Sequence, residues 1–328
     1  MADLNAVFQN CYYVGNNFNT ILYGIELMLY FATVYIVLNV KDQSRQFHTL
    51  FLVFSTALLF LITIFVAVQS VFGEMMWIVN EDFPGGSAAY LATHADVWYQ
   101  TMGSVAGVLL TVLSDALLLY RCYVFYGSHW IVVFPALIYL ASVVLGILTC
   151  VVSGTPSGNF FVGLASQIAV AYSSAVISLN VLCSGLICAR ILFFARRAEA
   201  VLGPDAARAY TGTAAILIES ALPYALFGIA YVAALGVGSP VAILFESIYV
   251  MFTCISPQLI ILRILMGRAW TQNAAATNGS TTVGAHFSST PPQLYTSAFH
   301  GFTLSTGGAS TNMREEVTKD DLEAGKRE

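Results

Sequence analysis

Residues 109–127 read LLTVLSDALLLYRCYVFYG, a run of leucines, valines and tyrosines in which Asp115 stands with Arg121 as the only other charge. The run it belongs to, 102–126, has the length of about 20 or more apolar residues that crossing bilayer hydrocarbon requires. Six similar runs cover 18–40, 50–72, 130–152, 167–194, 213–235 and 241–266. The whole chain follows suit, since 58% of its 328 residues are hydrophobic and only 9% are charged, a balance foreign to soluble domains. The sequence therefore predicts an all-α polytopic membrane protein, a bundle of seven transmembrane helices with the lipid bilayer as its partner.

Orientation follows from the basic residues, which stay cytoplasmic when they lie close to helix ends. Lys41 and Arg45 follow the first run, Arg121 ends the third, and Arg190, Arg196, Arg197 and Arg208 surround the connection from the fifth to the sixth. Arg263 and Arg268 end the seventh, and the remaining basic residues lie in the tail, so all 13 fall on one side. The expected topology has the N-terminus, residues 1–17, outside and the C-terminus in the cytoplasm. Residues 1–17 have no basic segment and do not read as a cleaved leader, which leaves the first run as signal anchor. The net charge of −5 says little about partners, and nothing points to nucleic acid. The plasma membrane is the expected location.

Two segments stand apart from the seven runs. Residues 74–101, EMMWIVNEDFPGGSAAYLATHADVWYQT, form the one long external loop, and its aromatic residues around Pro84-Gly85-Gly86 suit either a lid over a cavity or an interfacial anchor. Beyond the seven-helix domain, 18–270, the composition turns to Ala, Thr, Ser, Gly and Pro, and residues 271–328 read as a disordered cytoplasmic tail. Of the six cysteines, Cys11 and Cys150 fall at the oxidising side and are a candidate disulfide, with two free thiols as the alternative.

The intramembrane acids are Glu26, Asp115, Glu219 and Glu246, and each costs ~2.5 kcal/mol or more at the bilayer centre unless protonated, paired or hydrated. A rise of about 1.5 Å per residue places Asp115 near the midplane, Glu219 about a turn below it, and Glu26 and Glu246 nearer the outside. Asp115 is expected to face Glu219 across the bundle, the two sharing a proton or holding a cation or water between them. Pro223 and Pro257 are expected to kink their helices, Pro223 freeing the carbonyl of Glu219. Polar residues recur at helical spacing as Glu246, Tyr249, Thr253 and Ser256, as Tyr23, Glu26 and Tyr30, and as Ser173, Asn180 and Ser184. Asp115, Glu219, Glu26, Glu246, Tyr249 and Asn180 are thus the candidate ligand or ion site, against the plainer role of tying helices together.

Several chemistries find no residues to carry them. A retinal Schiff base needs an intramembrane lysine, and the only lysines are Lys41, Lys319 and Lys326. The five histidines are scattered over loops and tail, which suits neither a zinc cluster nor a serine nucleophile with an intramembrane base. No enzymatic activity, metal or cofactor is expected.

The strings FPGGSAAY, SDALLLYRCYVFYG, ILIESALPYALFGIAY and SPQLIILRILMGRAW, taken in order, resemble a large family of uncharacterised seven-helix proteins from mushroom-forming fungi. That resemblance runs to about Trp270 and implies a fold and a lineage rather than an activity. A looser likeness is to G-protein-coupled receptors, through the topology, Arg121 at the end of the third helix, Pro223 in the sixth and Ser256-Pro257 in the seventh. The chain departs from that pattern where Tyr120 stands in place of an acid before Arg121, where no tyrosine follows Pro257 at the receptor spacing, and where no cysteine tops the third helix. The likeness implies a sensor of an external small ligand, with Arg121, Arg196 and Arg197 bordering a docking surface for a cytoplasmic signalling protein. The competing reading is a small-solute or lipid transporter that uses the buried carboxylates. Pro257-Gln258 is similar to the pair of the PQ-loop carriers, yet the chain has no second copy of it in a repeated half.

Overall fold

The computed structural model describes residues 2–39, 45–94, 97–154, 164–202 and 204–278. Helices dominate these residues: α1 (Ala2–Asn39), α2 (Arg45–Glu74), a π-helical turn (Met75–Val79), α3 (Gly86–His94), α4 (Trp98–Tyr126), α5 (His129–Ser153), α6 (Leu164–Leu202), α7 (Pro204–Gly236) and α8 (Ala242–Asn278). Six stretches among the described residues are long and apolar enough to cross a membrane: Asn5–Asn39, Thr49–Val79, Trp98–Tyr126, His129–Ser153, Ser166–Arg197 and Ala242–Met266. The apolar part of α7, Ala221–Gly236, is shorter.

The exposed surface is built from what a soluble protein would bury. On α5, Phe134, Leu137, Leu140, Val144, Ile147 and Val151 form an exposed apolar stripe, while Ser142, Gly146, Thr149 and Ser153 face inward. A helix surrounded by hydrocarbon gains nothing by hiding leucine but must give each hydroxyl a partner. The inward threonines and serines find one in their own helix, as when Thr149 donates to the Leu145 carbonyl at 2.8 Å and Ser142 to the Tyr139 carbonyl at 2.8 Å.

Neighbours in space follow the chain round a ring, α1 on α2, α2 on α4, α4 on α5, α5 on α6, α6 on α7, α7 on α8 and α8 back on α1. α4 also reaches across to α6 and α8, which makes it the central helix. Its sequence explains why: Gly103, Ala106, Leu110, Thr111, Ser114, Asp115, Arg121 and Cys122 are buried at helical spacing, a stripe of mostly small or polar residues. Gly103 lets α2 approach closely, for a Cβ there would come within 2.9 Å of Val68 Cγ1.

α1 begins at Ala2, well before the expected start at Phe18. Asn and Gln interrupt the apolar run over 1–17, yet they leave the buried stripe intact, Phe8, Tyr12, Gly15, Asn19, Glu26 and Thr33 recurring at the roughly 3.5-residue period of a packed helix seam. Gly15 sits where α1 crosses α8, and a Cβ there would lie 2.8 Å from Ser247 Oγ.

This N-terminal half of α1 carries a folded cap. Phe8 and Tyr12 of α1, Phe72 of α2, Met76 of the π-helical turn, Tyr90 of α3 and Ile243 of α8 form one hydrophobic cluster. Gln9 Nε2 donates to Ser87 Oγ at 2.6 Å, the Ala88 amide donates to Asn5 Oδ1 at 3.1 Å, and the Tyr12 hydroxyl donates to Gln69 Oε1 at 2.8 Å. Gly86 makes the turn into α3 at φ 76°, and a side chain there would collide with Asn5, so glycine is required twice over. The segment 74–101 is therefore neither an open lid nor a bare anchor but a plug on α1, with Trp98, 74% exposed, as its one fully outward aromatic ring at the head of α4.

At the other end α8 continues past the expected limit of Met266 as far as Asn278. Pro135, Pro223 and Pro257 all lie inside helices, which run on through them. The tail beyond Asn278, with its Asn278-Gly279-Ser280 sequon, lies outside the described residues apart from that first asparagine.

Candidate functional site

α4 places Asp115 at the centre of the bundle, 1% exposed, with neither carboxyl oxygen hydrogen-bonded. Around it stand Tyr139 of α5, Tyr172 of α6, Tyr224 of α7 and Tyr249 of α8. The Tyr224 and Tyr249 hydroxyls meet at 3.1 Å, and Tyr231 stacks on Tyr249 with ring centroids 5.9 Å apart and has Ser173 near its hydroxyl. Tyrosine suits this depth because the ring fills apolar space while the hydroxyl seeks a partner. Glycines make the room: a Cβ on Gly146 would come within 3.2 Å of Tyr172, and one on Gly228 within 2.9 Å of Ile177 and 3.1 Å of Tyr249.

The other acids are distributed unequally. Glu26 is fully buried on α1, its oxygens without a well-formed hydrogen bond and the Cys254 thiol of α8 set against it. Below it on α8, Gln258 accepts a 2.6 Å hydrogen bond from Ser55 of α2, while its Nε2 is buried without a partner. Glu246 is half-buried near the cap, with Tyr12 and Tyr231 among its neighbours.

Glu219 departs from expectation, being exposed on α7. Among the described side chains of that helix the buried positions are Tyr224, Gly228, Tyr231 and Leu235, and Glu219 belongs to the opposite stripe with Ile218, Leu222, Leu226 and Ile229. The α4 and α7 backbones do not approach closely among the described residues, and it is Tyr224, not Glu219, that reaches from α7 toward α4. The expected Asp115–Glu219 pair is thus not formed. Depth along a helix follows from counting residues, whereas rotation about its axis depends on neighbours that the count leaves open.

Of the two readings of Cys11 and Cys150, disulfide or free thiols, the structure has the free thiols, on α1 and α5, which are not neighbours. The thiols that do meet are Cys122 of α4 and Cys183 of α6, both fully buried.

Arg121 lies one turn from the end of α4 and is buried rather than presented to solvent, its Nη2 without a hydrogen-bond partner. Arg196 and Arg197 are exposed on α6, and the Arg197 guanidinium lies 4.4 Å over the ring of Phe193. The three candidate docking residues are therefore unlike: two form an outer rim and one sits inside. Arg121 lines a crevice of about 20 Å³ between α4, α6, α7 and α8, together with Ser114, Asn180, Tyr224, Thr253 and Ser256. A larger depression of about 360 Å³ is lined only by the loop 78–83 and is a fold in the cap surface, not a cavity between helices.

The site joins Asp115, Tyr249 and Asn180 from the sequence reading to Tyr139, Tyr172, Tyr224 and Tyr231, which that reading passed over. Their signal was present: tyrosines in mid-span, two of them three or four residues from a helix-contact glycine, Tyr224 and Tyr231 about Gly228. No known protein family, characterised protein or solved structure matches the chain.

Proposed function

We propose that the chain is a receptor-like sensor of the plasma membrane, with seven spans, an external N-terminus, an external small ligand and a cytoplasmic signalling partner. α7 supplies the seventh span by closing the ring between α6 and α8. The observation that carries the reading is the charge arrangement on α4. One central helix holds a buried carboxyl without hydrogen bonds among tyrosines from four other helices and, six residues on, a buried guanidinium whose Nη2 has no partner, toward the arginine-bearing end. A movement of α4 that brings Asp115 to a partner carries Arg121 with it, which is what coupling two faces of a membrane requires. The four strings that resemble the fungal family fall on the cap, α4, α7 and α8, so lineage belongs to the same proposal.

Topology is tested by labelling cysteines from one side. Glu81 and Arg197 are both exposed, at opposite ends of the bundle. With a membrane-impermeant maleimide on intact cells, Glu81→Cys is expected to label and Arg197→Cys only after permeabilisation, each compared with the unmodified chain. The reverse pattern would invert the orientation.

Signalling is tested by recovering the full chain with its cytoplasmic partner from native membranes. Asp115→Asn is expected to change the amount of partner retained severalfold, and Arg196→Gln with Arg197→Gln to abolish retention without altering orientation. A chain that retains the same proteins in all three forms is not a receptor of this kind. The transporter reading has its own support in Glu26 and Asp115, two buried carboxyls without partners, and predicts saturable solute uptake lost in Asp115→Asn.

A further inference from the structure

We infer that the crevice at Arg121 is a binding site for one small monovalent anion of halide size. The argument begins with cost. A guanidinium is permanently charged, and burying it inside a membrane helix bundle is unfavourable unless its charge is compensated and its five donors are used. Arg121 is buried and its Nη2 has no partner. Asp115, the one acid on the same helix, turns toward the tyrosines and does not line the crevice.

The crevice supplies the rest of such a site. Its roughly 20 Å³ holds one sphere of about the size of a water molecule, and chloride is only slightly larger. Arg121, Ser114, Asn180 and Tyr224 line that space and carry donors, the Tyr224 hydroxyl being shared with Tyr249 at 3.1 Å. Thr253 has already committed its proton to the Tyr249 carbonyl at 3.1 Å and contributes shape only. Asn180 is itself buried with its Oδ1 unpartnered, and a half-turn of the amide presents the NH₂ to the crevice instead, an orientation fixed only by the hydrogen bonds available. A water would hydrate these groups but leave the charge uncompensated, whereas an anion accepts from the same donors and neutralises it. Arg190, Arg196, Arg197 and Arg263, on the same end of the bundle, raise the local concentration of anions. Sulfate and gluconate are too large for the space.

The test uses the purified full chain in detergent, with thermal unfolding followed in sodium chloride, sodium bromide and sodium gluconate at equal ionic strength. Chloride and bromide are expected to raise the midpoint saturably by about 2–5 °C over gluconate. Arg121→Gln should weaken the apparent halide affinity by about tenfold or more, the loss of one charge-assisted contact. Equal midpoints in all three salts, or an undiminished halide response in Arg121→Gln, would overturn the site and leave a water in its place. Should Arg121→Gln fail to fold, anomalous diffraction from the unmodified chain in bromide decides: a peak between Arg121 and Asn180 supports the site, and its absence at saturating bromide rejects it.

Discussion

Gly228→Val is expected to remove most of the folded protein from the membrane fraction and to lower stability by about 3 kcal/mol or more. Gly228 lies where α7 presses on both α6 and α8, and a Cβ alone would come within 2.9 Å of Ile177 Cγ1 and Cδ1 and 3.1 Å of Tyr249 Cδ2. Overpacking a well-filled interior costs about 1–3 kcal/mol even when neighbours can shift, and valine adds two branches to the Cβ. Relief is blocked on the α8 side, because Tyr249 is held between the Tyr224 hydroxyl and the stacked Tyr231 ring. The matched control is Gly185→Ala, at a helix position with nothing within 4 Å of the new Cβ. That variant should express and melt like the unmodified chain. Thermal unfolding and yield after solubilisation measure both, and a Gly228→Val protein of normal stability would show that α7 does not pack as described.

Asp115→Asn is expected to leave the protein at least as stable as before, or more stable by about 1–3 kcal/mol, while abolishing its response to ligand. A carboxyl paired with Glu219 would lose a partner on mutation. With Glu219 on the outer stripe and both Asp115 oxygens without hydrogen bonds, there is no partner to lose. Replacing an unsatisfied buried acid by its neutral isostere removes the cost of burying charge and adds two N–H donors within a cluster of tyrosine oxygens. A fall in the unfolding midpoint equivalent to more than about 1 kcal/mol would count against this account and in favour of a bound water or cation completing the site. Residues that weaken a fold yet sit at its centre are ordinarily there for function, so a gain in stability with a loss of response is the telling combination.

Much of the fold could be read from the chain, because hydrocarbon imposes a strict length and a strict polarity on whatever crosses it. Every expected run falls within a helix but for single end residues, and Asp115 is central as its surroundings in the sequence imply. What escaped reading has a common cause. Phe8 and Tyr12 look unremarkable among asparagines until Phe72, Met76 and Tyr90 close over them from distant parts of the chain. Glu219 stands on the outer stripe of α7, an azimuth that counting residues does not give, and Cys11 and Cys150 share the oxidising side although their helices are not adjacent. In each case the missing quantity is which helix stands beside which, a property of the whole bundle. The candidate site suffers the same limit: its acid and asparagine were visible as polar exceptions, while its tyrosines were camouflaged as aromatic filling.

The side-chain ties between helices are unevenly distributed. Tyr12, Tyr23 and Tyr30 rivet α1 to α2 along most of its length, through Gln69, Thr63 and Thr56. On α7 the Tyr224 hydroxyl ties the helix to Tyr249 of α8, just beyond Pro223. Pro223 cannot donate to the carbonyl of Glu219, so the backbone ladder of α7 is interrupted next to that tie. The interruption lies one residue from Tyr224, a ring that lines the Arg121 crevice and stands beside Asp115, so a change of bend at Pro223 is transmitted to both charged residues of α4 at once.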